Sequence, residues 1–425
     1  MENRKKFHFL GVGGVSMRAL AQFLARNGHQ VTGSDINPNV QIDGIDTTEK
    51  NKFFNIENAD IIVATSAIKD DDAELMLAKN LNKKILSRGE LLGKIAGRFN
   101  NVIAISGTHG KTTTTEMLAE VFIEAGLNPT VHIGGDSKSF GGAFRFGGKQ
   151  FFITEACEYS GSFLHLKPDV AVILNIEPEH LDFFKTFTNE QKAFKKFAQK
   201  SGFVVAPQST NLGVVSFGKN GVFQAAEIKK WKNGYAFWVK KYEKKLFYLK
   251  INSFSKKNIE NALAVIAVCE KFGLETVHIK NALKNFKGVK RRNEVWQEKP
   301  LVIHDYAHHP TEIKNQIQSV KAFFNKKVAV VFQPHTYSRT KTLFNDFVSD
   351  LCLADKLMLL PTFAAREPFD KEGSCERLFE EIKKHKPNVW YYLSFKDAKL
   401  RIQQQFKDCV VLILGAGDIN KLWES

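Results

Sequence analysis

Long apolar runs are missing from this chain: none of its 425 residues opens an uninterrupted stretch of eighteen or more. No segment therefore reads as a membrane span. Met1 to Lys6 leads directly into a strand pattern, without the layout of a secretory leader. Cysteine is scarce. The five, Cys157, Cys269, Cys352, Cys375 and Cys409, form no C-x-x-C pair. An odd, dispersed set fits reduced thiols and speaks against a zinc site, so a cytoplasmic protein is expected. There is no short-period repeat and no low-complexity tail. Acidic residues are in the minority, 45 against 61 Lys and Arg, for a net charge of +16. No motif of a nucleic-acid reader accompanies that excess. The densest basic stretch, Lys229 to Lys257, alternates with aromatics as solvated strand faces do. A lysine-rich compositional bias together with polyanionic small substrates explains the charge at least as well as a nucleic-acid partner. What the chain does have is 43% hydrophobic residues, enough for real cores, and a length that favours about three domains.

The most informative segment is Gly107-Thr108-His109-Gly110-Lys111-Thr112. It follows an apolar strand pattern, Val102 to Ser106. It precedes a helical stripe of Thr114, Met117, Leu118, Val121, Phe122 and Ala125. A glycine-rich turn between strand and helix lets backbone N–H groups close around a phosphate, helped by the helix N-terminus. Lys111 reaches the outer phosphates, and Thr112 offers its hydroxyl to the accompanying Mg²⁺. This is a contracted P-loop, since Ile105 stands where the usual first glycine would be.

Three α/β blocks follow from the pattern. The first has strand Phe7–Leu10, the turn Gly11-Val12-Gly13-Gly14, a helix with Met17, Leu20, Ala21 and Leu24, and strand Val31–Ser34 ending at Asp35. It resembles a dinucleotide-binding unit with Ser16 in place of the third glycine, a weak signal for a diphosphate or ribose contact. The second holds the P-loop strand and two buried strand patterns, one ending at Glu155 and one, Val170–Asn175, followed by Glu179-His180. Ligands of open α/β sheets sit beyond the strand carboxyl ends, so the P-loop, Glu155 and His180 are expected on one edge. Strands and turns from Phe203 to Leu249 and a helix Asn258–Phe272 complete it. The third runs through strand Leu301–Ile303, Asp305-Tyr306-Ala307-His308-His309-Pro310, strand Val328–Phe332, a helix carrying Leu343 to Leu351, and strand Val410–Leu414.

Glu155, just past a buried strand, is a candidate Mg²⁺ ligand. His180 is a second ligand or a polariser of a phosphate oxygen. Asp305 accepts ribose hydroxyls or orients a general base. His308 and His309 are adjacent, so only one of them faces a ligand. Arg291, Arg292 and Arg339 suit anions, because guanidinium binds carboxylate or phosphate in two-pronged fashion. Cys157 has no base beside it and reads as an inert thiol.

Taken in order, these segments resemble the Mur ligase family from Phe7 to Asp418. Phe7 to Gly14, the short P-loop, Glu155-Ala156-Cys157-Glu158-Tyr159 with Ser162-Phe163-Leu164, Asn175-Ile176-Glu177 with His180-Leu181-Asp182, Phe286 to Arg292, Asp305 to Pro310, and Phe332 to His335 with Tyr337, Arg339 and Thr340 carry the likeness. The resemblance implies an α/β protein of three domains. These are a Rossmann-like UDP-sugar-binding one over 1–98, a central P-loop ATPase with a mostly parallel sheet over 99–288, and a Rossmann-like amino-acid-binding one over 289–425. It implies ATP-dependent joining of L-alanine to the lactyl carboxylate of UDP-N-acetylmuramate, a cytoplasmic step of peptidoglycan precursor synthesis. Dispersing the three substrates over three domains makes closure a requirement of the reaction. By the same likeness Gly13, Gly14 and Asp35 lie near the UDP-sugar, with Ser66 and Arg88 on its approach. Gly107 to Thr113 (Thr108, His109, Gly110, Lys111 and Thr112 among them) cradle ATP, while Thr112, Glu155 and His180 hold Mg²⁺. Asn258 and Asn261 face the adenosine, Arg291 or Arg292 a phosphate, and Asp305 the ribose. His309 and Arg339 position the amino acid, and Lys111, Glu155, His180 and His309 form the catalytic set. The expected partners are small molecules alone, with a monomer or weak homodimer. The chain departs from the family at Cys157, Glu179 and His304, where aspartate is frequent, at Lys257, where histidine usually precedes the asparagine, and by stopping soon after Asp418. The rival readings are a ligase reattaching murein tripeptide to the same sugar nucleotide and a non-catalytic UDP-sugar binder. Tyr306 and the wording of Asp305 to Pro310 favour alanine.

Overall fold

In the computed structural model, which describes residues 4–365 and 367–424, three sheets organise the chain. The first has five parallel strands in the order Asp46–Glu49, Gln30–Asp35, Lys6–Leu10, Ile61–Ala64, Lys84–Ser87. Strand Lys6–Leu10 is buried after its first residue and holds the middle, as an apolar run covered on both faces should. Its chain reverses at Gly11, and the helix Val15–Arg26 packs Met17, Leu20, Ala21 and Leu24 inward. Asp35 ends its strand and Ser66 and Arg88 follow theirs, on the edge of this sheet that also carries Gly13 and Gly14.

The second sheet has ten strands, with Asn101–Ser106 between Val170–Ile173 and Phe151–Glu155, parallel to both. Successive strands leave this P-loop strand in opposite directions, which opens a crevice at its carboxyl end. Phe203–Pro207 and Val215–Phe217 extend the sheet on one side, then Phe223–Trp231, Gly234–Lys241 and Lys244–Ile251. Strand Val170–Ile173 stops two residues short of the expected Asn175, which is freed for another role described below. The helix Lys257–Lys271 is buried at eleven of its fifteen positions, Asn258 and Asn261 included.

The third sheet is ordered Glu294–Glu298, Leu301–Asp305, Val410–Leu414, Val328–Phe332, Lys356–Leu359, Val389–Tyr391, antiparallel only at its first pair. Pro310 opens the helix Pro310–Phe324, where its missing N–H costs nothing. The helix expected to carry Leu343 to Leu351 is present as Phe344–Leu351, and a separate short helix, Tyr337–Thr342, precedes it. Leu343, with φ −108° and ψ 26°, breaks the turn between them while its side chain keeps the apolar spacing.

The chain clusters into two compact units. Residues up to Lys229, with Ala236–Asn252 and Lys257–Lys287, form one; Lys230–Tyr235, Ser253–Lys256 and the stretch from Gly288 form the other. In the first unit one apolar cluster runs across both sheets, from Phe7, Phe9 and Phe23 to Phe152, Phe163, Phe194 and Phe197. Rings interlock there, Phe23 on Phe144 at 5.3 Å and Phe99 on Phe152 at 4.7 Å.

Candidate active site

Gly110 caps the helix Lys111–Glu124 with φ +89°, a left-handed conformation that glycine adopts without strain. Having no side chain, it leaves the first N–H groups of the helix directed at the loop, as an anion site requires. A Cβ at Gly110 would lie 3.0 Å from Asn261 Oδ1, so the buried Asn261 lies directly against the turn. Asn261 Nδ2 donates to Asn258 Oδ1 at 2.7 Å, which brings both adenosine-side candidates beside the phosphate loop. Asn175 clamps that loop: its Oδ1 accepts from the His109 N–H at 2.8 Å and its Nδ2 donates to the His109 carbonyl at 3.0 Å. Thr108 is tied the same way, its hydroxyl donating to Glu177 O and accepting from Glu177 N–H. A cavity of about 880 Å³ adjoins the clamp, bordered by Asn175, Glu177, Gln208, Thr210, Asn220 and Glu260.

Lys111 Nζ donates to Gly107 O at 2.6 Å, Thr108 O at 3.0 Å and Glu158 Oε1 at 3.0 Å. Burial works against its charge, but Glu158 and the acidic groups behind it outweigh burial and hold its pKa above the ordinary value. Glu158 is fully buried. Desolvation pushes its carboxyl up, Lys111 and His180 overcome that, and it stays ionised below the usual range. His180 Nε2 stands 3.6 Å from Glu158 Oε1. Burial lowers the His180 pKa, yet Glu158 and Glu179 reverse the sign and leave it raised. On the other side, Glu155 Oε2 accepts from Thr112 Oγ1 and from the Gly134 N–H, each at 2.8 Å.

The three expected metal ligands are thus divided: Thr112 bonds Glu155, while His180 stands beside a further carboxylate, Glu158. Their chemistry fits a hard divalent cation: a hydroxyl, two carboxylates and one imidazole. One observation supports that fit independently, because Glu158 Oε2 is buried without a hydrogen-bond partner. Glu158, Glu179 and His180 each bring a donor atom within 4.8 Å of the others. Glu158 was absent from the sequence-based set. It stands in the same acidic run as Glu155, and only the turn after that strand decides which carboxylate points under Lys111. Asn175 was missed for a similar reason, having read as the end of a strand. Cys157 is held protonated, its thiol pKa raised by burial, as an inert thiol should be.

At the edge of the first sheet, Gly13 N–H donates to Asp35 Oδ2 at 2.8 Å. A Cβ on Gly13 would come within 2.8 Å of that same oxygen, which is why glycine stands there. Gly14 caps the following helix, Ser66 lies exposed in the turn after Ile61–Ala64, and Arg88 opens the helix Arg88–Ala96. Arg88 donates to Ser162 Oγ at 3.0 Å and to Ser16 Oγ at 3.3 Å.

In the second unit, Arg291 Nη2 donates to Gly415 O at 3.0 Å and Gly417 O at 2.8 Å. The Arg291 and Arg292 guanidiniums lie over the Tyr306 ring, at 5.0 and 5.1 Å from its centre. Asp305 is buried, and its two oxygens accept from the backbone N–H groups of Asn293 and Ala307. His309 caps the helix Pro310–Phe324, its Nδ1 accepting from Thr311 N–H at 3.4 Å. Of the adjacent pair, His308 faces inward. It stands 5.9 Å from the His335 ring, and burial lowers its pKa to about 4. Arg339 Nη1 donates to His335 O at 2.8 Å.

Known proteins match along the whole of this arrangement. The Mur ligase family catalytic domain matches residues 6–100, the Mur ligase middle domain 105–269 and the Mur ligase glutamate ligase domain 291–417. A UDP-N-acetylmuramate–L-alanine ligase of Caldicellulosiruptor bescii is 38% identical over 98% of this chain and 97% of its own. The crystal structure of the UDP-N-acetylmuramate–alanine ligase MurC from Thermotoga maritima has a TM-score of 0.85 at 28% identity, covering 99% of this chain and 98% of that one. A murein peptide ligase from Psychrobacter arcticus reaches 0.70 at 23% identity over 98% and 97%, a likeness of fold alone. With its three sheets matched in succession and full-length relatives at this identity, the chain belongs to the Mur ligase family.

Proposed function

We propose that this protein joins L-alanine to the lactyl carboxylate of UDP-N-acetylmuramate, converting ATP to ADP and phosphate. The observation that carries the reading is the gathering of Lys111, Thr112, Glu155, Glu158 and His180 at the carboxyl end of the P-loop strand. The names of the full-length relatives supply the substrates. We take residues 1–98, 99–288 and 289–425 as the sugar-nucleotide, ATP and amino-acid parts.

A carboxylate and a triphosphate repel each other, so the first requirement is cationic neutralisation. Lys111 serves it from the loop. Thr112, Glu155 and His180, aided by Glu158, are the residues to hold a Mg²⁺, which when bound spreads charge over the phosphate oxygens. The lactyl carboxylate oxygen then attacks the γ-phosphorus, ADP leaves, and an acyl phosphate forms. The neutral amine of L-alanine attacks the acyl carbon, and phosphate departs. Asn258, Asn261 and the cavity beside the clamp are suited to an adenosine. His309 and Arg339 orient the amino acid. Only small molecules enter as partners, and the reading keeps the reaction in a cytoplasm with a monomer or weak homodimer.

The test is ADP and phosphate release with each substrate omitted in turn, and with murein tripeptide in place of L-alanine. Release that needs ATP, the sugar nucleotide and L-alanine together supports the proposal. Release with tripeptide but not L-alanine would transfer it to the murein peptide ligases.

A further inference from the structure

Ser16, which breaks the dinucleotide-type glycine pattern, has a partner that explains it. His132, on the strand Thr130–Ser137, is only 2% exposed and places Nε2 at 2.9 Å from Ser16 Oγ. Its Nδ1 lies 3.1 Å from Thr154 Oγ1. The Thr154 hydroxyl proton is committed to the Glu155 carbonyl at 3.1 Å, so Thr154 accepts from the ring. Nδ1 therefore carries the hydrogen and Nε2 the lone pair. Ser16 in turn donates to Nε2, which leaves its oxygen free to accept from Arg88 Nη1. Burial keeps the imidazole neutral, with a pKa lowered to about 3, so it has one donor and one acceptor. Each bond in the series Arg88, Ser16, His132, Thr154, Glu155 points the same way, an arrangement in which neighbouring bonds polarise one another. Two residues further along the strand, the Gly134 N–H holds the Glu155 carboxylate itself.

We infer that His132 is a positioning residue for the sugar nucleotide: through Ser16 it fixes Arg88, and through Thr154 it joins that hold to the strand end bearing Glu155. Ser16 and Ser162 grip the Arg88 guanidinium at two points, leaving its remaining donors for a phosphate or carboxylate oxygen. The inference rests on the proposed reading of Arg88 as a contact of the UDP-sugar. Neither His132 nor Ser16 touches the reacting atoms.

Steady-state ADP release from the complete mixture tests it, using His132→Phe, His132→Gln and His132→Asn. Glutamine reaches the Nε2 position and so keeps Ser16, whereas asparagine reaches only the Nδ1 position and keeps Thr154. In His132→Phe the KM for UDP-N-acetylmuramate is expected to rise about tenfold, with the KM for ATP within about twofold. His132→Gln recovers most of that loss and His132→Asn does not. In an Arg88→Ala background, His132→Phe adds no further change in KM. Should His132→Phe fail to fold, the glutamine–asparagine contrast decides alone. Equal effects on both KM values, no contrast between glutamine and asparagine, or full additivity with Arg88→Ala overturns the inference. Wild-type turnover with these failures overturns it alone; absence of wild-type turnover overturns the functional reading beneath it.

Discussion

Lys111 is held by two carbonyls of its own loop and by Glu158, so all three ammonium protons have partners. Its loss removes the ammonium of the phosphate loop and leaves the edge around Gly13 and Arg88 untouched. Lys111→Ala is expected to abolish phosphate release while calorimetry still detects UDP-N-acetylmuramate binding; loss of both would contradict separate sites. Glu116, on the same helix, supplies a stability test. Desolvation raises its carboxyl from 4.5 to about 7, against the help of Ser137. Between those values the folded chain holds a proton that the unfolded chain has released, so stability falls as pH rises from 4.5 to 7. Glu116→Gln keeps the Ser137 bond without the charge. It is expected to raise the urea midpoint above pH 7, by on the order of 3 kcal/mol in stability, and to leave it unchanged below 4.5. Equal midpoints at every pH would refute this. At this scale the sequence showed identities but not directions. Lys111, Thr112 and Glu155 were legible because a P-loop and a strand end fix where they point. Glu158 and His132 were not, since each owes its role to partners 47 and 116 residues away in the chain.

Elements explain why the loop is rigid. The helix Lys111–Glu124 starts without a side-chain cap, and the neighbouring strand ends early so that Asn175 can grip the loop backbone. Two hydrogen bonds of about 1 kcal/mol each hold His109 in place. Asn175→Ala is therefore expected to raise the KM for ATP about tenfold with little change in melting temperature; an unchanged KM would remove the clamp from the account. Strand cores such as Lys6–Leu10 and Val328–Phe332 were legible from apolar runs alone. Their ends were harder, as Asn175 illustrates, because leaving a sheet depends on what the backbone meets next. The break at Leu343 was hidden for the opposite reason: its side chain satisfies helical spacing while its backbone does not.

For the whole molecule, the charge of +16 is best matched with substrates that carry phosphates. Raising salt from about 0.05 to 0.5 M shortens the screening length to a few ångströms. The KM values for ATP and the sugar nucleotide are expected to rise several-fold while that for L-alanine, neutral overall, stays within about twofold. A uniform response would indicate a general effect of salt on the fold. The three-sheet plan was readable in outline because each block repeats strand, turn and helix with its own apolar pattern. The grouping of the first two sheets in one unit was not, since it depends on aromatic contacts such as Phe23 with Phe144. The helix Lys257–Lys271 is enclosed on nearly every side, so its amides should exchange with deuterated water only when the unit around it opens. Asn261, past the first turn, is thus borne by slowly exchanging backbone, and it holds Asn258 of the first turn by a side-chain hydrogen bond, so that the helix start is anchored to its interior.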